Sequence, residues 1–364
     1  MKTAIFLGAG ASAAEGAPIQ SELFKEYFGS GKVPQDAPIR KVLGNFFQRI
    51  FQIDLDGPLG PIAFPTFEEA LGVLDLSETR RESLRGFNSE SAFKNEAVPL
   101  NESYSNHVNL IRFYLTLAMA KAIDDGLRRK RDDQPTAEYH QKLVDNLRNM
   151  DLMKDTLFIS TNYDLCIDEA LKEELDYGVE FSGNKFGEEG PPNRVSLFKI
   201  HGSLNWLYCP VCNNLNGYEA KAVLSLLYPD RPITQCGFCE TVMAPVIVPP
   251  TFYKDMSRVF LSSIWNKTEN SLREVDHVIF CGYSLPDADM HIKYLLKRMQ
   301  TNRKPDKQPV RFTVINHHEG KSEQGAEAEH ARYDRYFGRD NVRYTMAAFE
   351  DFVQSPEQFY NEWK

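Results

Sequence analysis

The stretch that decides the fold is Thr3-Ala-Ile-Phe-Leu-Gly-Ala-Gly-Ala-Ser-Ala13, near the beginning of the sequence. Its first half is a short apolar run typical of a buried strand, and Gly8-x-Gly10-x-x-Ala13 follows at once. That spacing matches a dinucleotide-binding loop with alanine in the third position. Glycine lets backbone N–H groups approach a pyrophosphate that a Cβ would keep away, and Pro18 with the next residues can open a helix. Alone, the motif also fits a tight turn that binds nothing.

Composition narrows the class of protein. The chain has 364 residues, of which 42% are hydrophobic and 26% charged, so we expect a globular α/β core with insertions. The net charge of -9 argues against direct nucleic-acid binding or adhesion to an anionic membrane. The apolar run before Gly8 is too short for a signal peptide, and no stretch reaches the roughly 18 apolar residues of a membrane span. We expect a cytoplasmic protein.

Six apolar runs predict a Rossmann-like fold with a parallel, six-stranded sheet. Runs without alternation are typical of strands covered by helices on both faces. The runs are Ala4–Leu7, Thr156–Ser160, Ser196–Ile200, Pro245–Val248, His277–Cys281 and Arg311–Ile315. Residues 107–131 carry apolar residues at helical spacing, and the basic run 128–131 is interpreted as a solvated helix end.

The distance between the first two runs is too long for one crossover, so it predicts a large helical insertion. We therefore expect one domain with a Rossmann core at 1–24, 151–204 and 244–364, a helical insertion at 25–150 and a small zinc module at 205–243. The insertion also displaces the acidic residue expected about 20 positions after the loop on a second strand. An ordinary dehydrogenase half is thereby disfavoured.

Polar residues follow the predicted strands where ligands of open α/β sheets bind. Ser160-Thr-Asn-Tyr-Asp164 ends the second strand, and His201-Gly-Ser203 follows the third. An imidazole can take a proton near pH 7, and an asparagine can orient a hydroxyl or water. A core histidine and a helix-capping turn are the alternative explanation. Cys281–Pro286 and Val314–Asn316 end later strands and offer similar contacts or only turns.

The most specific local pattern is a pair of Cys-x-x-Cys motifs, at Cys209/Cys212 and Cys236/Cys239. Four thiolates at this spacing can hold one tetrahedral ion, usually Zn²⁺, and leave no position open for water or substrate. We therefore predict that the zinc is structural. The use of cysteines as metal ligands rather than in disulfides predicts that the protein resides in a reducing compartment. Cys166 and Cys281 are interpreted as small buried residues.

In this order, the motifs resemble the sirtuin family, and specifically a divergent bacterial branch that hydrolyses NAD in antiphage defence. The order is Gly-Ala-Gly-x-Ser, a helical insertion, Thr-Asn-x-Asp, His-Gly, two Cys-x-x-Cys pairs, Gly-x-Ser-Leu and Ile-Asn. The resemblance implies NAD as substrate, His201 as general base, and Asn162 and Asp164 facing the nicotinamide ribose and nicotinamide. The cofactor-binding positions it implies are Gly8, Ala9, Gly10, Ala11, Ser12, Gly16, Thr161, Gly282, Tyr283, Ser284 and Asn316.

Two departures from the family bear on the nucleophile. Protein deacylases carry Gly-Ile-Pro-Asp-Phe-Arg where this chain reads Gly16-Ala-Pro-Ile-Gln-Ser21, and Phe-Gly-Glu where it reads Pro249-Pro-Thr251. Loss of these peptide-binding features favours water, which predicts a NAD glycohydrolase. A zinc-supported lysine deacylase is the alternative, and a non-catalytic NAD or ADP-ribose sensor is a third.

A hydrolase that consumes NAD needs restraint, and the chain shows no second sensor domain. We therefore expect control by homo-oligomerisation or by a separately encoded partner, such as a HerA-type ATPase or an Argonaute.

Overall fold

The computed structural model of the protein describes residues 1–29, 38–55, 64–80, 82, 104–133, 138–181, 194–218, 221–226, 234–248, 258–287, 289–317 and 321–363. Strands and helices alternate along most of this range. The strands are β1 (Thr3–Leu7), β2 (Thr156–Ser160), β3 (Leu175–Asp176), β4 (Val195–Lys199), β5 (Gly202–Tyr208), β6 (Leu215–Gly217), β7 (Ala244–Ile247), β8 (His277–Cys281), β9 (Arg311–His317) and β10 (Val342–Ala348).

Helices account for the larger share of the described residues. They are α1 (Ala9–Ala13), α2 (Leu23–Gly29), α3 (Pro38–Phe46), α4 (Phe67–Arg80), α5 (Tyr104–Asp133), α6 (Tyr139–Asn149), α7 (Cys166–Leu171), α8 (Ala222–Ser225), α9 (Val259–Leu272), α10 (Met290–Thr301), α11 (Glu323–Phe337), α12 (Phe349–Gln354) and α13 (Pro356–Asn361). None of the described helices is both long and apolar enough to span a bilayer.

The main sheet is Rossmann-like and parallel, as the apolar runs predicted. Its seven strands lie in the order β10-β9-β8-β1-β2-β4-β3, and every ladder in it is parallel. β1 is central, and all five of its residues are buried. The chain adds β2 and β4 on one side of β1 and β8, β9 and β10 on the other. Such a reversal of strand order marks the crevice in which open α/β sheets bind ligands.

The prediction of six strands in this sheet was wrong in two respects. The run Pro245–Val248 forms β7, which pairs antiparallel with β5 in a separate three-stranded sheet, ordered β6-β5-β7. Proline has no N–H to donate to a central ladder, and β7 is accordingly an edge strand. The sequence also missed β3, which has two residues, and the edge strand β10, whose partly exposed, mixed side chains do not form an apolar run.

The described chain forms two compact units. One contains Met1–Ala17, Leu127–Val248 and Asp255–Lys364, and the other consists mainly of Pro18–Gly126. The helical insertion was placed at 25–150, but α6 lies outside the second unit. Helix α6 contacts α7 and α12, because Leu143, Val144 and Leu147 form a fully buried stripe at helical spacing.

Aromatic side chains pack together in the core of the second unit, Pro18–Gly126. Phe47 lies at its centre, with ring centroids 4.9 Å from Phe24, 5.6 Å from Phe28 and 5.7 Å from Phe64. Edge-on contacts of this kind contribute about 1 kcal/mol each beyond the burial of their surface. The helix predicted over 107–131 is α5, and the basic run lies near its carboxyl end, where Arg131 pairs with Glu169 at 3.0 Å.

Strand register brings the predicted site residues to one edge of the main sheet. Leu7 of β1 is in register with Ser160 of β2 and with Cys281 of β8. The same row continues to Lys199 of β4 and to Ile315 of β9. The segments that begin at Gly8, Thr161, Ile200 and Gly282 therefore leave the sheet at this edge, and Asn316 of β9 lies one residue beyond the same row.

Candidate functional site at the carboxyl edge of the sheet

The Gly8 loop packs backbone to backbone against the turn at Gly282. The N–H of Gly8 donates to the Cys281 carbonyl at 2.9 Å, and the N–H of Gly10 donates to the Gly282 carbonyl at 2.9 Å. A Cβ on Gly8 would lie 2.5 Å from the Gly282 oxygen, and one on Gly10 would lie 2.7 Å from the Gly282 Cα. Gly282 itself has a φ of +64°, a backbone conformation that residues with a side chain rarely adopt.

These contacts change the explanation of the glycines. The sequence suggested that they allow close approach of a pyrophosphate, but two of their N–H groups are bonded to the neighbouring turn. The immediate reason for glycine here is the approach of two protein loops. The helix that follows Gly8 begins inside the motif, at Ala9, rather than near Pro18. Ala9 is the exposed residue of this loop.

Asn162 connects the end of β2 to the Gly8 loop. Its Nδ2 donates to the Gly8 carbonyl at 2.8 Å and to Ser12 Oγ at 2.7 Å. Ser12 Oγ in turn donates to Asp164 Oδ2 at 2.6 Å. Because an amide nitrogen has two hydrogens, both donors of Asn162 are used. The group that Asn162 can offer a ligand is its carbonyl oxygen, Oδ1.

Asp164 is buried and its carboxylate accepts on both oxygens. Oδ2 accepts from Ser12, and Oδ1 accepts from the N–H of Cys166 at 3.0 Å. Burial alone would raise the pKa of this carboxyl, but Lys199, His140 and the hydrogen bonds outweigh it and hold the pKa below its usual value. Asp164 is therefore an anion and a pure acceptor at neutral pH.

His201 occupies the connection between the two sheets. It is 2% exposed, it follows β4 directly after Ile200, and its carbonyl accepts the N–H of Val248 at 2.8 Å. Gly202 has a φ of +87°, and a Cβ there would collide with the Val246 carbonyl. The His-Gly pair thus marks the point at which the backbone turns from the parallel sheet into β5.

The remaining loop positions also carry backbone contacts. Thr161 donates its N–H to the Leu7 carbonyl at 3.1 Å, which joins β2 to β1 just beyond the ladder. Gly16 has a φ of +98° and closes the turn after α1. Ala11 is fully buried beneath the loop.

The implied cofactor-binding positions that follow β8, and the one near the end of β9, differ in what they expose. The ring of Tyr283 is buried, with its centroid 4.8 Å from that of Phe6, and its hydroxyl donates to Asp289. The ring of Tyr283 therefore packs in the core. The Ser284 carbonyl accepts from Arg332, and Asn316 Nδ2 donates to Glu329 Oε1 at 2.6 Å.

The four motif cysteines form one cluster whose Sγ atoms all lie within 4.8 Å of one another. Cys209 Sγ and Cys239 Sγ are 3.5 Å apart, near the roughly 3.8 Å that tetrahedral zinc–thiolate bonds require. The two turns are alike: Asn213 and Glu240 follow them at φ of +57° and +58°, and each donates its N–H to the first cysteine's carbonyl. The donor set fits a structural Zn²⁺.

Sequence reasoning missed the buried charges around Asp164. Lys199 is 0% exposed and pairs with Asp168 at 3.0 Å. Glu15 Oε1 lies 2.7 Å from His140 Nδ1, and the Cys166 thiol lies close to both. The one local signal was Lys199 itself, a charged residue at the end of an apolar strand. Cys166 and Cys281 are buried, as expected, and burial raises the pKa of each thiol well above its usual value.

We expect Gly282→Ala to destabilise the protein by about 2 kcal/mol or more, because the methyl group would enter the Gly8 loop at a strained φ. Gly72→Ala is the matched control: Gly72 lies in α4 with open space around its Cβ, so this change should stabilise by up to about 1 kcal/mol. Denaturant unfolding of both variants measures the difference. Equal effects would contradict the proposed packing of the two loops.

Removal of zinc should destabilise the protein, because a structural site contributes folding free energy. We expect purified protein to carry one zinc per chain, and Cys212→Ser to lose both the metal and several degrees of melting temperature. Cys281→Ala removes a buried cysteine outside the cluster and should keep full zinc content. Metal analysis with thermal melting tests this, and unchanged stability of metal-free protein would refute the structural role.

Comparison with known proteins places the chain in a family. The family model for the SIR2-like domain matches residues 156–337, which is half of the chain. A Sir2 structure with p53 peptide and NAD⁺ aligns over 99% of this chain and 94% of its own, at 12% identity and a TM-score of 0.43. A second Sir2 enzyme structure covers 100% and 93%, at 12% identity and 0.42. The search of curated proteins found no match. The matched residues include Asn162, His201 and all four clustered cysteines, and the chain belongs to the SIR2-like family.

Proposed function

We propose that the protein is a NAD glycohydrolase that cleaves the bond between nicotinamide and ribose and transfers the ADP-ribosyl group to water. Membership of the SIR2-like family supports an NAD-dependent reaction. The observation that carries the proposal is the hydrogen-bonded chain Asn162–Ser12–Asp164 beside the Gly8 loop. It presents one fixed acceptor, Asn162 Oδ1, at the edge of the sheet where such folds bind nucleotides.

The two hydrogen bonds that fix the side-chain amide of Asn162 indicate its role. Because its two N–H groups are bonded to Gly8 and Ser12, its Oδ1 accepts a hydrogen bond from a ribose hydroxyl or from the attacking water. Such an acceptor orients the sugar without adding charge beside the carbon that becomes cationic. Orientation of this kind supplies a large part of the rate enhancement when bond breaking precedes nucleophilic capture.

The proposed reaction needs a group that takes one proton, and His201 is the residue suited to it. The glycosidic C–N bond breaks, nicotinamide leaves as a neutral molecule, and the water oxygen bonds to C1 of the ribose. The proton released by that water goes to the imidazole of His201 and then to solvent. The buried position of His201 at the end of β4, next to β2, supports this role.

The nucleotide fragment would lie across the central crevice. Ala9 is exposed on the Gly8 loop, and Gly282 with Ser284 forms the turn beside it. The amide nitrogen of Asn316 is held by Glu329, so its oxygen would be the group that contacts the adenosine ribose. Ser12, whose hydroxyl is bonded to Asn162 and Asp164, acts through Asn162 in this account more than through the phosphates.

The choice of water rests on features that peptide-dependent members of the family carry and this sequence lacks. Gly16–Ser21 contains neither the aspartate nor the arginine of the deacylase motif. The replaced segment Pro249–Thr251 lies outside the described residues. A lysine deacylase remains the second candidate, because Asn162 and His201 serve both reactions. A non-catalytic sensor would not require the two residues together.

The biological role we propose is depletion of NAD in infected bacterial cells, which stops the growth on which a phage depends. None of the six cysteines forms a disulfide, which fits a reducing cytoplasm, in which NAD is available. An enzyme of this kind requires restraint, which we assign to self-association or to a partner such as a HerA-type ATPase or an Argonaute. A purified chain that is monomeric and fully active alone would contradict this regulation.

We expect Asn162→Ala and His201→Ala to reduce nicotinamide release from NAD by about 100-fold or more, since each removes a group that acts in the rate-limiting chemistry. Asn302→Ala is the control, because Asn302 is exposed at the end of α10. Chromatographic measurement of nicotinamide, with circular dichroism to verify folding, tests the assignment. Activity near that of the wild type in either site variant would overturn it.

A further inference from the structure

We propose that Lys199 is a positioning residue for this reaction, because its buried ammonium fixes Asp164 and, through Ser12, the orientation of the Asn162 amide. The inference rests on the proposed function and extends it to a residue that does not touch the substrate. It concerns a second layer of buried polar groups behind the site, formed by the charged pair Lys199 and Asp168 and by the neutral Tyr177.

The geometry of Lys199 is specific. It is the last residue of β4, and its side chain is 0% exposed. Its Nζ donates to the Asp164 carbonyl and to Asp168 Oδ2, the latter at 3.0 Å. The Tyr177 hydroxyl donates to the other oxygen of Asp168 and accepts from Asn205 Nδ2 at 3.1 Å. One cation thus holds the segment that carries Asp164 and the first turn of α7.

Stability alone does not explain a charged pair in this place. Removing an ammonium and a carboxylate from water costs free energy, and their attraction often does no more than offset that cost. Apolar residues of similar volume would fill the same space with no desolvation penalty. A function in setting the state of a neighbouring group accounts for the pair better, and the neighbouring group is Asp164.

The protonation state of Asp164 determines which way the hydrogen bonds run. As an anion it can only accept, so the Ser12 hydroxyl donates to it and leaves a lone pair for Asn162 Nδ2. As a neutral acid it could donate to Ser12, whose own hydrogen would then turn toward Asn162. The Asn162 N–H and the Ser12 O–H would then point at each other, and the amide would keep only its hydrogen bond to the Gly8 carbonyl. Its oxygen would be held toward the substrate less firmly.

Other groups face Asp164 from the elements packed around it. His140 on α6 favours the anion, and Glu15 after α1 opposes it, as does Asp168 on α7. Cys166 contributes its N–H to the carboxylate. Burial raises the pKa of Asp164, and Lys199 provides the largest of the opposing effects, so that the pKa lies below its usual value. Loss of Lys199 therefore shifts the balance toward the neutral acid.

The test compares Lys199→Met, which keeps the length of the side chain and removes its charge, with Asp168→Asn, which keeps the ammonium and removes its counter-ion. Activity that needs ionised Asp164 is lost as the pH falls through its pKa. In Lys199→Met the raised pKa should move this acidic limb of the kcat profile upward by about one pH unit or more, which lowers kcat by about tenfold at a fixed pH on the limb, with a smaller effect on KM.

Asp168→Asn should lower the melting temperature without moving the acidic limb upward. Lys199→Arg, which retains the charge, should keep the limb close to that of the wild type. An acidic limb in Lys199→Met that coincides with the wild type would overturn the proposal. If Lys199→Met does not fold, Lys199→Gln, which keeps a donor without charge, replaces it in the same comparison.

A measurement without NAD separates this inference from the proposed function. Carboxyl ¹³C NMR of aspartate-labelled protein, with Asp164→Asn used to assign the resonance, follows the ionisation of Asp164 directly. We expect the titration to move to higher pH in Lys199→Met and not in Asp168→Asn. A shifted titration in a protein that does not cleave NAD would refute the hydrolase and support the link between Lys199 and Asp164. An unshifted one would refute the link.

Discussion

Two hydrogen bonds from the Asn162 amide, to the Gly8 carbonyl at 2.8 Å and to Ser12 Oγ at 2.7 Å, hold the first loop of the chain against the end of β2. The carboxylate of Asp164 sets the direction of these hydrogen bonds, because an anion accepts from Ser12 and cannot donate. On the other side of the loop, Gly8 and Gly10 lie against the Gly282 turn. The loop is therefore fixed by protein contacts on both sides.

Much of this edge could be predicted from local patterns. Buried parallel strands appear in the sequence as apolar runs, and residues that follow them lie at one edge of the sheet once the strands are in register. The Gly8 loop, Asn162, His201, Gly282 and Asn316 were placed there for that reason. The cluster of four cysteines was predictable because its spacing alone limits the chemistry.

The rest depends on contacts between distant parts of the chain. Lys199 looks like an ordinary strand-end lysine until Asp164 and Asp168 are seen beside it. Tyr283 follows a glycine in a turn that was predicted to bind a ligand. Its ring is nevertheless buried, because it packs against Phe6 in the apolar core. The run that became β7 has the composition of a buried strand, and only its pairing with β5 shows that it belongs to another sheet.

We propose that water captures the ribose carbon of NAD. The most direct measurement incubates purified protein with NAD, with and without an acetylated peptide, and separates ADP-ribose from acyl-ADP-ribose by mass spectrometry. We expect ADP-ribose to appear in equal amount with nicotinamide and without any need for peptide. Strict dependence on the peptide, with acyl-ADP-ribose as the product, would contradict it and identify the protein as a deacylase.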